Sequence, residues 1–165
     1  MTTLLGVDLG ERRIGVAIGS DDGAPARPLV TLLRAKRTDG DAAAFGRLVS
    51  EHGVDEIVVG LPYEASGAEG PQAELTRRWA EAMTTLVAVP MAFRDERLTS
   101  HLAEARLGPM KRGRSGGPPS RAQRDAYRAR VDREAAAIIL QDELDARAGV
   151  PSAKPRPSVT LETDR

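Results

Sequence analysis

Three short apolar runs, at residues 3–9, 14–18 and 29–33, stand close together near the start of the chain with only short polar or Gly/Pro-punctuated turns between them. Strands joined by connections this short pair antiparallel, as a meander. The pattern then changes period. Ala42, Phe45, Leu48 and Val49 recur at helical spacing, and Gly53 lies where that helix should stop. A compact apolar strand follows at 56–61, then a polar, glycine-containing loop at 63–70. Pro71 suits the first turn of a second helix, whose expected buried stripe is Leu75, Trp79, Ala82, Met83 and Leu86. Residues 87–93 read as a fifth strand, with Asp95-Glu96-Arg97 at its carboxyl end. Thr99 can cap a short helix that reaches about Leu107. The last helix runs from about 123 to 146 and buries Val131, Ala135, Ile138, Ile139 and Leu144.

This order predicts an α/β chain. A meander feeding right-handed crossovers gives a five-stranded mixed sheet, three antiparallel strands then two parallel, flanked by helices. One domain is expected over residues 1–148. Residues 108–123 hold little that could be buried and read as a mobile basic loop within it. Residues 149–165, with three prolines and few apolar side chains, read as a flexible tail.

Composition narrows the chemistry. The chain has 165 residues, 41% of them hydrophobic, enough for one core. Cysteine is absent and there are two histidines, His52 and His101, which removes disulfides, thiolate metal sites and multi-histidine zinc sites. A bound metal should then be a hard cation held by oxygen, Mg²⁺ or Mn²⁺. No basic leader precedes the first apolar run, and no stretch approaches the ~20 apolar residues of a membrane span. A cytoplasmic protein that does not engage membranes is expected, as a monomer or homodimer.

The net charge of zero hides a concentrated basic element. Between Lys111 and Arg130, seven basic residues (Lys111, Arg112, Arg114, Arg121, Arg124, Arg128, Arg130) face one acidic residue, Asp125, a net +6 that the rest of the chain balances. Such a segment can be a solvated face. On an otherwise acidic protein it points to phosphate contacts of the salt-dependent, sequence-independent kind. Arg12 and Arg13, in the first turn, could position a phosphate or pair with Glu11 or Asp21.

Three carboxylates are candidates for chemistry. Asp8 interrupts an apolar strand, where an uncompensated carboxylate is costly unless a cation holds it. Glu96 follows a strand end on the same edge of the inferred sheet. Asp132 shares a helix face with Ala136 and Ile139. Each also has a structural explanation: a turn partner for Asp8, a solvated strand end paired with Arg94 or Arg97 for Glu96, and Arg128 one turn away for Asp132. Together, brought from distant parts of the chain to one sheet edge, they make the oxygen cluster that two divalent ions, roughly 3.5–4 Å apart, need to hydrolyse a phosphodiester. Smaller features have simpler readings. Trp79 is core, His101 an exposed helix residue, and Tyr127 either stacks on a base or anchors the last helix.

Five segments, in order, resemble one bacterial family. They are Gly-Val-Asp-Leu-Gly-Glu-Arg-Arg-Ile-Gly-Val-Ala (6–17), Val-Gly-Leu-Pro (59–62), Gly-Ala-Glu-Gly-Pro-Gln-Ala (67–73), Asp-Glu-Arg-Leu-Thr-Ser (95–100) and Val-Asp-Arg-Glu-Ala-Ala-Ala-Ile-Ile-Leu-Gln (131–141). They are similar to the YqgF/RuvX family and span about residues 4–145. The resemblance implies an RNase-H-like fold related to the resolvase RuvC. It implies a nuclease that matures the 5′ end of the small-subunit ribosomal RNA precursor, in a family earlier labelled a Holliday junction resolvase. By motif position the acidic triad falls on Asp8, Glu96 and Asp132, with Asp95 as a lesser candidate. The expected partners are precursor RNA, branched DNA as the alternative, and the pre-ribosome. Arg12, Arg13, Arg97, Lys111, Arg112, Arg114, Arg121, Arg124 and Arg128 are the expected nucleic-acid contacts. Two further readings stay open: a nucleic-acid-binding assembly factor without catalysis, and an ATP-binding kinase-like module, against which the short length argues.

Overall fold

The first strand sorts its side chains to two faces, and that sorting sets the architecture. In β1 (Thr3–Leu9), Leu5, Val7 and Leu9 share one face while Leu4, Gly6 and Asp8 share the other. The computed structural model describes residues 1–64, 66–96 and 99–150. The remaining elements are β2 (Arg13–Ser20), β3 (Arg27–Leu33), α1 (Thr38–His52), β4 (Glu56–Leu61), α2 (Pro71–Val87), β5 (Met91–Asp95), α3 (Thr99–Leu107) and α4 (Arg121–Arg147). The sheet order is β3-β2-β1-β4-β5. β1–β2 and β2–β3 pair antiparallel, and β1–β4 and β4–β5 pair parallel. This is the mixed sheet expected from the sequence. Among the described residues no helix is long and apolar enough to cross a membrane.

Each face of the sheet has its own core. Leu5, Val7 and Leu9 join Ile14, Val16, Ile57 and Val59 beneath Phe45 of α1 and Trp79 and Met83 of α2. On the opposite face Leu4, Ala17 and Val58 pack against Ala136, Ile139, Leu140 and Leu144 of α4. Burying each large apolar side chain is worth roughly 1.5–3 kcal/mol, so a layer on both faces fixes the sheet firmly. The α4 side is lined by small residues. A Cβ at Gly6 would lie 2.6 Å from the Leu140 Cβ, and one at Gly15 only 2.0 Å from the Asp132 carbonyl oxygen. The helix thus rests its backbone directly on the sheet. Thr31 ties it to β3, donating to the Ala129 carbonyl at 2.6 Å and accepting from Arg133 at 3.2 Å.

Three expectations need correction. The buried stripe of α2 is Ala73, Thr76, Trp79, Ala80 and Met83, whereas Leu75 and Leu86 are more than half exposed and Ala82 is exposed too. The Trp79 indole sets the rotation. It donates to the buried Asp41 carboxylate at 3.1 Å and meets the Phe45 ring edge-on, with centroids 5.7 Å apart. The fifth strand is Met91–Asp95 rather than 87–93, because α2 continues through Val87 and closes on Ala88 in the left-handed conformation. The last helix begins at Arg121, so the basic loop ends at residue 120 and not 123. Gln123 N–H donates to Ser120 Oγ at 3.1 Å and Ser120 N–H donates to Gln123 Oε1 at 2.7 Å, a reciprocal capping box. Ser120→Ala should cost about 1 kcal/mol and lower the melting temperature by about 2–4 °C in calorimetry. Arg97 and residues 151–165 of the expected tail lie outside the described residues.

Candidate active site

Parallel pairing places the carboxyl ends of β1, β4 and β5 at one edge of the sheet. Val7 lies beside Val59, and Leu61 lies beside Asp95. Glu96 follows directly, its N–H donating to the Leu61 carbonyl at 3.1 Å. A Cβ at Gly60 would lie 2.9 Å from Glu96 Oε2, so this side chain folds back over the end of β4. Asp8, half-buried on the α4 face, is paired with Gly15 of β2. The Asp132 backbone is pressed against that same Gly15. Three chain segments therefore converge on one spot.

The electrostatics show how close they come. Burial pushes the Asp8 carboxyl up from 3.8 to about 6, a hydrogen bond with the Glu96 side chain pulls it down, and the charge of Asp132 pushes it up again. Two carboxyl groups can hydrogen-bond to each other only by sharing a proton, since ionised carboxylates are acceptors alone. The third carboxylate is held differently. Asp132 Oδ2 accepts from Arg13 Nε at 2.7 Å, with each side chain 23% exposed. Asp132 was expected to pair, if at all, with Arg128, and Arg13 with Glu11 or Asp21; the ion pair joins neither of those sets.

Among the described residues no three His, Cys, Asp or Glu side chains surround a single point closely enough to hold a metal as they stand. The donor set nevertheless fits a hard divalent cation. It is made of carboxylate oxygens, and burial together with the charge of Asp132 makes an ionised Asp8 costly, a cost that a cation would relieve. Asp95 lies within β5 and makes further interactions of its own.

The basic residues divide into groups. The turn 10–13 and Asp125, Arg128 and Asp132 of α4 enclose an open cleft of about 470 Å³. Arg12 and Arg128, both exposed, form no ion pair with the described carboxylates. Helical spacing places Arg121, Arg128 and Asp132 on one face of α4, so a basic stripe leads to the third carboxylate. Arg124 and Arg112 donate to the Pro119 and Gly116 carbonyls and shape the loop. Lys111 and Arg114 are exposed on that loop. Tyr127 anchors α4, its hydroxyl donating to the Gly108 carbonyl at 2.8 Å, and His101 is exposed. The Arg13–Asp132 pair was missed in the sequence, because nothing local links residues 119 positions apart.

The chain resembles known proteins over most of its length. The profile of the RuvX family, described as Holliday junction resolvase, matches residues 2–146. A Chloroflexus aurantiacus protein, provisionally named pre-16S rRNA nuclease, is 42% identical over 149 residues, covering 90% of each chain. An Anaeromyxobacter dehalogenans protein of the same name is 42% identical over 144 residues, 87% of this chain and 97% of its own. Thermus thermophilus RuvC superimposes with a TM-score of 0.51 at 12% identity, over 90% of this chain and 98% of its own. The fowlpox virus Holliday junction resolvase does so with a TM-score of 0.52 at 10% identity, over 88% and 99%. At such identities the structural likeness is one of fold, and that fold is RNase H-like. With a matching profile across nearly its whole length, the chain belongs to the RuvX family.

Proposed function

We propose that this protein is a metal-dependent nuclease whose Asp8, Glu96 and Asp132 hold two divalent ions, Mg²⁺ or Mn²⁺, and that it trims the 5′ end of the 16S ribosomal RNA precursor in the cytoplasm. The observation that carries the reading is the convergence of three carboxyl groups from β1, the end of β5 and α4, with Asp8 raised to about 6. The relatives named as nucleases of that precursor supply the substrate class.

When bound, the ions would supply the charge stabilisation and the activated water that phosphodiester hydrolysis requires. The chain supplies the rest. Asp8, deprotonated, and Glu96 offer oxygens at the sheet edge. Asp132 brings a third carboxylate from α4. Arg12, Arg128 and Arg121 draw the phosphate backbone towards the cleft. Those contacts read charge and not base sequence, so precise placement on a precursor falls to its shape or to the pre-ribosome.

The test is a cleavage assay on a 5′ fragment of the 16S precursor, unstructured single-stranded RNA and a four-way DNA junction, each with Mg²⁺, Mn²⁺ or EDTA. Precursor cut only with a divalent ion is the expected result. Preference for the junction would favour a resolvase-like DNA nuclease, the description attached to the family profile. Tight binding without turnover under any metal would leave an assembly factor and overturn the nuclease.

A further inference from the structure

The backbones on either side of the Arg13–Asp132 ion pair are fixed. The turn before Arg13 is closed by Gly10 N–H donating to the Arg13 carbonyl at 2.9 Å. Arg34 braces it twice, its N–H donating to the Arg12 carbonyl at 2.8 Å and its guanidinium to the Gly10 carbonyl at 3.1 Å. Asp132 cannot shift either, because its carbonyl is pressed on Gly15. Only the two side chains can change partners. Around them lie Glu11, Arg12, Asp125 and Arg128 in the open cleft, and Asp8 on the inner side. Arg13 thus holds a candidate metal-binding carboxylate, and it lines the cleft along which a phosphate would arrive.

We propose that Arg13 is a latch: it keeps Asp132 out of the metal cluster until a substrate phosphate takes its guanidinium, so that the cation site is completed only with nucleic acid present. The inference rests on the nuclease reading above and adds to it a coupling between substrate and metal. Guanidinium suits the exchange, since its planar donor fork matches a phosphate as well as a carboxylate. The coupling must be reciprocal: whatever the phosphate adds to metal affinity, the metal adds to phosphate affinity.

The experiment measures Mn²⁺ binding to the full chain by isothermal titration calorimetry, without nucleic acid. The proteins are wild type, Arg13→Gln, Asp132→Asn and the double variant, with folding checked by circular dichroism. Freeing Asp132 should tighten Mn²⁺ binding in Arg13→Gln by about 5–10-fold, the size of a typical two-site coupling. The same substitution should gain nothing in the Asp132→Asn background, because there is no carboxylate left to release. An unchanged affinity in Arg13→Gln overturns the latch. So does an equal gain in both backgrounds, which would mean that only a general positive charge had been removed. In both cases wild-type Mn²⁺ binding and cleavage still stand, and the nuclease reading survives. Absence of Mn²⁺ binding in every protein overturns the latch, and absence of divalent-dependent cleavage as well overturns the nuclease reading.

Discussion

Asp8→Asn is expected to make the protein inactive and, in the absence of metal, more stable. The loss of cleavage should be at least about 10³-fold, roughly 4 kcal/mol of barrier, because a charged oxygen ligand is exchanged for a neutral amide. The stability gain follows from linkage. The Asp8 carboxyl is raised from 3.8 to about 6 in the folded protein, so the native state binds this proton more tightly than the unfolded chain does. Below about pH 4 both states are protonated and nothing is lost. Between about 4 and 6 the unfolded chain ionises first, and the folded protein loses stability as pH rises. Above 6 the full penalty is present, about 3 kcal/mol for a shift of this size. Asparagine cannot ionise and escapes it. Calorimetry in EDTA should therefore show Asp8→Asn melting about 6 °C above wild type at pH 8, with the difference vanishing towards pH 4. Millimolar Mg²⁺ should raise the wild-type melting temperature and leave the variant unmoved. A variant that melts at or below wild type at pH 8 would show that Asp8 is comfortable as it is, and the case for a cation there would go with it.

The second large effect belongs to Gly15→Ala. The added Cβ would lie 2.0 Å from the Asp132 carbonyl oxygen and 2.3 Å from its carbon, both backbone atoms. Neither side can yield cheaply. β2 is hydrogen-bonded to β1 and β3 on its two edges, and α4 is seated by Ile139 and Leu140 on the same sheet. A loss of about 3–5 kcal/mol is expected in urea denaturation, with cleavage reduced in whatever remains folded, since Asp132 must move with the helix. Gly46→Ala is the matched comparison. It lies inside α1 with nothing within 4 Å of its Cβ position, and should be neutral or stabilising by up to about 1 kcal/mol. Similar stabilities for the two variants would mean that α4 can lift off the sheet.

The sequence was most informative where hydrophobic pattern and chain punctuation agreed. Residues 3–9 and 56–61 are bounded apolar runs, and both strands appear with those limits. It was least informative where a distant partner decided the outcome. Trp79 turns α2 towards Asp41, 38 positions away, which sends Leu75 and Leu86 to solvent against their hydrophobicity. Val87 has the composition of a strand but closes a helix, since local preference yields to a well-packed neighbour. The start of α4 is legible in Ser120-x-x-Gln123, a capping signature, although the surrounding Gly, Pro and basic residues look like loop. For the site, topology alone brings Asp8, Glu96 and Asp132 to one edge. That Asp8 and Glu96 touch while Asp132 is engaged by Arg13 depends on side-chain geometry that no spacing reveals.

The seating of α4 on bare backbone has a consequence for how such a protein can vary. Where two elements are separated by interleaved side chains, each exchange of one apolar residue for another resets the gap between them. Here the separation between the sheet and the helix bearing Asp132 is set at Gly6 of β1 and Gly15 of β2, where an added Cβ would lie 2.7 Å and 2.0 Å from main-chain oxygens of α4. Leucines, isoleucines and valines of the opposite core, beneath α1 and α2, can be traded during evolution without resetting that spacing at the candidate site. Adjustments to its chemistry are left to rotation about a few side-chain bonds.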